Sequence, residues 1–153
     1  MRQIQHFFIN QSLEADEIEI DDKELLRQMK EVLRFRKGDA CVLLDNRGHQ
    51  AKAILEEFHH KGARFRVESR TSLQRPARTV RLYVALSKKP ATLEWIFEKA
   101  TELGVTELIP LDTERTQVHE LRKMERLHSI VKEAAEQCER GFAGRSGDHD
   151  APQ

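Results

Sequence analysis

The chain has 153 residues, enough for one ordinary domain or two small ones. Hydrophobic residues make up 39% and charged residues 34% of it, and the mean hydropathy is −0.65, which argues against wholesale disorder. No apolar run approaches the roughly 20 residues of a membrane span, and the 26 basic and 26 acidic residues cancel, so net charge indicates no particular partner.

The first half predicts small strands around one helix. Strands are expected at 4–9 and 16–20, followed by a helix over 21–34, where apolar residues recur at helical spacing before the stop signal Gly38. Further strands at 40–45, 50–58 and 63–69 are joined by tight turns. Consecutive short strands of this kind favour a small antiparallel barrel or sandwich.

The second half has a different rhythm. The polar stretch 70–79 predicts a linker, after which a strand (80–86), a helix (92–103), a strand (106–111) and a long helix (120–140) alternate. This order predicts parallel strands with crossover helices. Two strands are too few for a stable parallel sheet, so we expect pairing with another copy or a fragment.

Cysteine and histidine usage indicates a reduced compartment and no metal site. Cys41 and Cys138 both lie in apolar contexts and are expected to be buried thiols. Four histidines show no ligand spacing: His59, His60, His119 and His128. The amino terminus also lacks the apolar core of a secretory signal. The expected location is therefore the cytoplasm.

Basic residues are concentrated between Lys61 and Lys89, where nine occur with one acidic residue, Glu68, whereas the segment from Glu14 to Glu24 is acidic. Such a stretch is typical of a phosphate-binding surface, but also of a solvated face that acids elsewhere balance. Both interpretations stay open on the sequence.

Acidic and basic side chains also mark the second half. Glu114 and Arg115 follow the carboxyl end of a predicted strand, the edge at which open α/β sheets bind ligands. Glu94, Glu98 and Glu102 line one face of the preceding helix. Like charges at this spacing repel, so we expect a basic neighbour, such as Arg115 or Arg140, or a functional role.

Four segments together resemble the bacterial 16S ribosomal RNA (uracil-N3)-methyltransferase family of the SPOUT, or trefoil-knot, superfamily. They are "HFFI" (6–9), "VLRFRKGDACVLLDNRG" (32–48), "LSKKPATLEWIFEKATELGVTELIPLDTERT" (86–116) and "AAEQCER" (134–140). The resemblance implies an α+β protein with a PUA-like RNA-binding barrel (1–72), a linker (73–79), a partial SPOUT methyltransferase domain (80–142) and a disordered tail (143–153).

The resemblance also implies a homodimeric enzyme that uses S-adenosylmethionine to methylate N3 of a uridine in small-subunit ribosomal RNA. It places Arg115 and Glu102 as catalytic candidates, Arg115 holding a phosphate or a uracil oxygen and Glu102 orienting it. RNA-binding candidates are Arg34, Arg36, Lys37, Lys88 and Arg140. Ion pairs among Glu102, Arg115 and Arg140 would explain those residues equally well.

The carboxyl end departs from the family pattern. "GFAGRSGDHDAPQ" stands where the family continues towards its glycine-rich GPEGG-type loop and knot. We therefore expect the knot to be absent, and no cofactor-binding residue is assigned. A non-catalytic RNA-binding module and an inactive fragment are the alternatives to an active methyltransferase.

Overall fold

The structure is a computed structural model that describes residues 4–74, 76–114 and 124–146. It divides into two compact units, Met1–Gln74 and Arg75–Gln153. The boundary lies within the polar stretch 70–79, although residues 70–72 themselves belong to a strand rather than to a linker.

The first unit is built on a five-stranded sheet in the order β1-β3-β4-β5-β2. Its strands are β1 (Gln5–Phe8), β2 (Glu17–Ile20), β3 (Ala40–Leu44), β4 (His49–Phe58) and β5 (Ala63–Ser72). The predicted antiparallel pairing of consecutive strands is confirmed for β3, β4 and β5. In contrast, β1 pairs with β3 in parallel, which the order of strands along the chain did not indicate.

The predicted helix over 21–34 is shorter and irregular. Helix α1 (Lys23–Arg27) begins at Asp22, whose side chain accepts the backbone N–H groups of Glu24 and Leu25. It continues into a π-helical turn (Gln28–Val32). The widened turn leaves the spacing of apolar residues helical, so periodicity alone could not reveal it.

One apolar core fills the first unit, with Phe7, Met29, Leu43, Leu55 and Phe65 among its fully buried side chains. Cys41 lies in this core as predicted, and burial raises the pKa of its thiol to about 12. The prediction for Cys138 is wrong, because this residue follows the last turn of a helix and is exposed.

The second unit contains a three-stranded parallel sheet in the order β6-β7-β8. Its elements are β6 (Arg81–Ala85), α2 (Pro90–Glu102), β7 (Glu107–Leu111), α3 (Met124–Gln137) and β8 (Arg145–Ser146). The alternation of strands and helices is confirmed. Residues 145 and 146, which lie in the segment expected to form the tail, form β8, a strand too short to show any periodicity.

Helices α2 and α3 form the apolar core of this unit against the sheet, through Leu93, Phe97, Leu108, Leu127 and Val131. The helix predicted over 92–103 ends one residue earlier, and the side chain of Leu103, which follows it, is 86% exposed. Leu103 caps the helix, where the backbone leaves the helical path and the side chain leaves the buried face.

Candidate functional site

A short loop between the π-helical turn and β3 carries three predicted RNA-binding residues. Its backbone is fixed by hydrogen bonds: Phe35 N–H donates to Met29 O (2.8 Å), Gly38 N–H donates to Leu55 O (2.8 Å), and Arg36 N–H donates to the Asp39 carboxylate (2.8 Å). The loop is therefore preorganised, not a free coil.

One side chain of this loop is buried in the core, and its three basic side chains are exposed to solvent. Phe35 is buried and packs edge-on against Phe7, with ring centroids 5.8 Å apart. Arg34, Arg36 and Lys37 are exposed. Arg34 has a φ of 53°, a left-handed conformation that costs a non-glycine residue about 1 kcal/mol and that the buried Phe35 beside it offsets.

Ion pairing separates the cations that are available to a ligand from those that are not. Four arginines of the basic stretch 61–89 are paired with carboxylates: Arg64 with Glu19 (2.7 Å), Arg66 with Glu56 (3.3 Å), Arg70 with Asp16 (2.9 Å) and Arg81 with Glu107. These four arginines therefore fit the second interpretation of the basic stretch, a solvated face whose positive charge is balanced by carboxylates. Within the described chain, Arg34, Arg36 and Lys37 form no ion pair.

The carboxyl ends of β6 and β7 meet at one edge of the second sheet. Leu86 N–H donates to Leu111 O (2.9 Å), so the segments after the two strands start side by side. Lys88 and Glu114 both lie on these segments and are exposed. Arg115, the predicted catalytic residue that follows, lies outside the described residues.

Glu102 lies at the opposite end of this sheet. Helix α2 runs back from the carboxyl end of β6 to the amino end of β7, and its 13 residues cover about 18 Å. Glu102 is in its last turn and pairs with Lys99 (2.7 Å). The described geometry therefore does not bring Glu102 to the edge that carries Lys88 and Glu114.

Arg140 lies at the same end as Glu102 but performs a different task. Its guanidinium donates to the backbone carbonyl oxygens of Thr101 and of Val105, the latter at 3.3 Å. The Thr101 carbonyl, which also accepts the N–H of Gly104 (3.1 Å), lies in the last turn of α2, and the Val105 carbonyl lies just after it. Arg140 thus joins the end of α3 to the end of α2, and its RNA-binding role stays a prediction.

The acidic stripe of α2 has two basic neighbours, Lys99 and Arg126, whereas the expected neighbour Arg115 lies outside the described residues. Lys99 lies between Glu98 (2.8 Å) and Glu102 (2.7 Å), and these two carboxylates raise the pKa of its ammonium group. Arg126 of α3 pairs with Glu94 (3.5 Å). These contacts balance the charge of the stripe, and the catalytic role of Glu102 stays a prediction.

The turn after β3 holds a buried carboxylate that the sequence analysis passed over. Asp45 Oδ1 accepts the N–H groups of Arg47 (2.7 Å) and His49 (3.0 Å), and Oδ2 lies 2.7 Å from His49 Nδ1. Burial alone would raise the pKa of Asp45, but these hydrogen bonds outweigh it and hold the pKa below its usual value. The sequence feature that could have indicated this turn is an aspartate placed at the start of a turn between two predicted strands.

Residues 4–74, 76–114 and 124–146 meet neither the requirements of a metal site nor those of a membrane-spanning helix. No three histidine, cysteine or carboxylate side chains in these ranges come close enough to hold a metal ion. None of the helices described there combines the length and apolar character that crossing a bilayer requires.

Comparisons with known proteins agree on one family. Residues 74–143 match the family model of an RNA methyltransferase domain. The ribosomal RNA small subunit methyltransferase E of Synechocystis is 40% identical over 118 residues, which cover 75% of this chain and 38% of that protein. The protein of the same name from Bacillus subtilis is 31% identical over 152 residues, or 93% of this chain and 59% of that protein.

The fold has a solved counterpart. A protein from Legionella pneumophila, described as a methyltransferase and solved with bound S-adenosylmethionine, superposes with a TM-score of 0.85 at 25% identity. The match covers 96% of this chain and 63% of the Legionella chain. The present chain thus spans between 38% and 63% of the length of these three relatives.

Proposed function

Because this chain belongs to the RNA methyltransferase family that includes the ribosomal RNA small subunit methyltransferases E, we propose that it binds small-subunit ribosomal RNA and serves the methylation of that RNA. The observation that carries the proposal is the rigid loop with Arg34, Arg36 and Lys37. We name residues 33–39 the cationic loop.

The cationic loop suits a polyanion for two reasons. Its three charged groups have no intramolecular carboxylate partner in the described chain, so binding phosphate costs no existing ion pair. Its backbone is held by hydrogen bonds and by buried Phe35, so little conformational entropy is lost on binding. Arginine also offers a planar fork that two phosphate oxygens can accept.

Lys88 is proposed as an RNA contact of the second unit. It is exposed beyond the carboxyl end of β6, at the edge where sheets of parallel strands bind ligands. Exposed Lys89 beside it adds a second positive charge.

The described residues of the second unit do not fit S-adenosylmethionine. An adenosyl group needs a concave pocket with largely apolar walls. The segments that follow β6 and β7 instead offer exposed charged groups: Lys88, Lys89, Asp112 and Glu114. We therefore assign no cofactor-binding residue and derive no methyl-transfer step from these side chains.

Finer assignments follow the family resemblance and are part of the proposal. They comprise S-adenosylmethionine as methyl donor, N3 of a uridine as the methylated atom, a PUA-like character for residues 1–72, a partial SPOUT domain at 80–142, a homodimer and a cytoplasmic location. Arg115 remains the proposed ligand of a phosphate or a uracil oxygen. Glu102 remains the residue proposed to orient Arg115, although it lies at the opposite end of the sheet from Glu114.

A non-catalytic RNA-binding module is the second candidate function. Two features favour it. The cationic loop suits RNA, whereas the charged segments at the edge of the second sheet do not fit the cofactor. Transfer of labelled methyl groups from S-adenosylmethionine to unmethylated small ribosomal subunits distinguishes the two. Incorporation by the 153-residue chain would support the enzyme, and RNA binding without incorporation would support the module.

RNA affinity of a charge-depleted variant tests the proposal. Fluorescence anisotropy of a labelled small-subunit RNA fragment should show that Arg34→Ala, Arg36→Ala and Lys37→Ala together raise the Kd roughly tenfold to a hundredfold. Each lost phosphate contact on a single strand removes about 0.7 from the slope of log K against log salt concentration, so the slope should flatten by about 2.

A matched variant controls for net charge. Lys23→Ala, Lys52→Ala and Arg66→Ala remove the same three charges from the same unit but leave the cationic loop intact; Lys52 and Arg66 are paired with Glu68 and Glu56. We expect a Kd within about threefold of the wild type, since only long-range attraction changes. Equal losses in both variants would overturn the assignment of the loop.

A further inference from the structure

A cavity of about 270 Å³ lies in the first unit, apart from the cationic loop. Three segments form it: residues 12–14, the turn between β3 and β4, and the end of β5. Its lining includes Ser12, Arg47, His49, Arg70, Thr71 and Ser72. Apart from Leu13, every residue that lines the cavity has a polar or charged side chain, so hydroxyl, imidazole and guanidinium groups are available to a polar ligand.

Arg70 builds one wall of this cavity. Its Nε donates to Leu13 O (2.7 Å) and its Nη2 donates to the carboxylate of Asp16 (2.9 Å), so the segment before β2 is tied to β5. Ser12 Oγ accepts the N–H of Glu14 (3.2 Å) on the same wall. These contacts hold the wall in place without a ligand.

Asp45 fixes the opposite wall. Its carboxylate accepts two backbone N–H groups and lies 2.7 Å from His49 Nδ1. With Nδ1–H directed at Asp45, the second ring nitrogen of His49, Nε2, remains for a ligand. The side chain of Arg47 is exposed and has no ion pair among the described residues.

We propose that this cavity binds one phosphate-bearing nucleotide of a single RNA strand. Arg47 and His49 would contact the phosphate, and Ser12, Thr71 and Ser72 would offer hydroxyl groups to the ribose. Glu14 is the one lining carboxylate that opposes the anion, since the charge of Asp45 is already met by three hydrogen bonds. The inference rests on the proposed RNA-binding function and adds a second contact site to it.

Nuclear magnetic resonance of the full 153-residue chain tests the cavity directly. Inorganic phosphate, uridine 5′-monophosphate and a short oligouridylate are titrated in turn while the backbone amide signals are followed. We expect shifts at Arg47, His49 and Ser72, with the oligouridylate saturating at the lowest concentration. Absence of shifts at these amides would overturn the proposal, and tighter binding of the free monophosphate would overturn RNA as the source of the ligand.

Two variants separate ligand contact from folding. Arg47→Ala removes an exposed guanidinium, and His49→Asn keeps a donor close to the position of Nδ1 while it removes Nε2. Each should weaken oligouridylate binding at least fivefold with an unchanged melting temperature, whereas Lys23→Ala should leave binding within twofold. Unchanged affinity in both cavity variants would contradict the proposal.

The two proposals fail in different ways. If RNA binds through the cationic loop and the cavity amides do not shift, the cavity inference alone is wrong. If uridine 5′-monophosphate shifts the cavity amides but no RNA binds to the chain, the cavity is a free-nucleotide site and the proposed function is wrong.

Discussion

At the scale of single residues, Asp45 shows how one buried carboxylate organises a turn. It accepts three hydrogen bonds within five residues of chain, and its pKa is held below the ordinary value of about 3.9. A carboxyl with a lowered folded-state pKa stabilises the fold above its unfolded-state pKa. That stabilisation is lost as the pH falls through the folded-state pKa.

Asp45→Asn should lower the free energy of unfolding by about 1–3 kcal/mol at pH 7, because an amide cannot accept from His49 Nδ1–H and two backbone groups at once. Urea unfolding at pH 7 and at successively lower pH measures this difference. It should persist down to about pH 4 and shrink in stronger acid. The exposed Asp21→Asn is the control, and a difference that stays constant into strong acid would contradict the account.

The sequence shows which residues are charged, but it does not show which of them are already held in ion pairs. The sequence located the cluster at Arg34, Arg36 and Lys37, yet it gave equal weight to the stretch 61–89. The carboxylates that neutralise that stretch are remote in the chain: Glu19 pairs with Arg64, and Asp16 pairs with Arg70. Only pairing of β2 with β5 brings them together.

At the scale of elements, the ends of α2 and α3 are joined by Arg140. We expect Arg140→Met to lower the free energy of unfolding by about 1–3 kcal/mol, because the carbonyl oxygens of Thr101 and Val105 each lose a hydrogen bond to a charged donor. If joining the two helices is the only task of Arg140, RNA affinity stays within about twofold of the wild type, whereas a larger loss would support its predicted RNA-binding role. Chemical unfolding and anisotropy on the same samples measure both quantities.

The matched variant Lys132→Met removes the same charge from α3 and should change neither quantity by a measurable amount. A large loss of RNA affinity in Arg140→Met, together with unchanged stability, would instead assign Arg140 to RNA contact. The structural task seen for its guanidinium would then be secondary.

Most elements could be predicted from hydrophobic periodicity and turn residues, since these signals are local. The exceptions depend on partners elsewhere in the chain. The parallel pairing of β1 with β3 and the two-residue strand β8 need a neighbour that periodicity does not identify. The distance between Glu102 and the edge at Glu114 follows from the direction of α2, which nearness in sequence concealed.

At the scale of the whole molecule, ordered motifs carried more information than composition. A net charge of zero indicated no partner, yet the segments 32–48 and 86–116 pointed to the family that the comparisons support. The chain divides into two units, and the features proposed for RNA binding occur in both: the cationic loop in the first and Lys88 in the second.

The central claim is that the cationic loop contacts small-subunit ribosomal RNA. Ultraviolet cross-linking of the 153-residue chain to that RNA, followed by mass spectrometry of the cross-linked peptides, tests it most directly. We predict cross-links within residues 33–39, lost on combined alanine substitution of Arg34, Arg36 and Lys37. Cross-links confined to other parts of the chain, unchanged by that substitution, would contradict the claim.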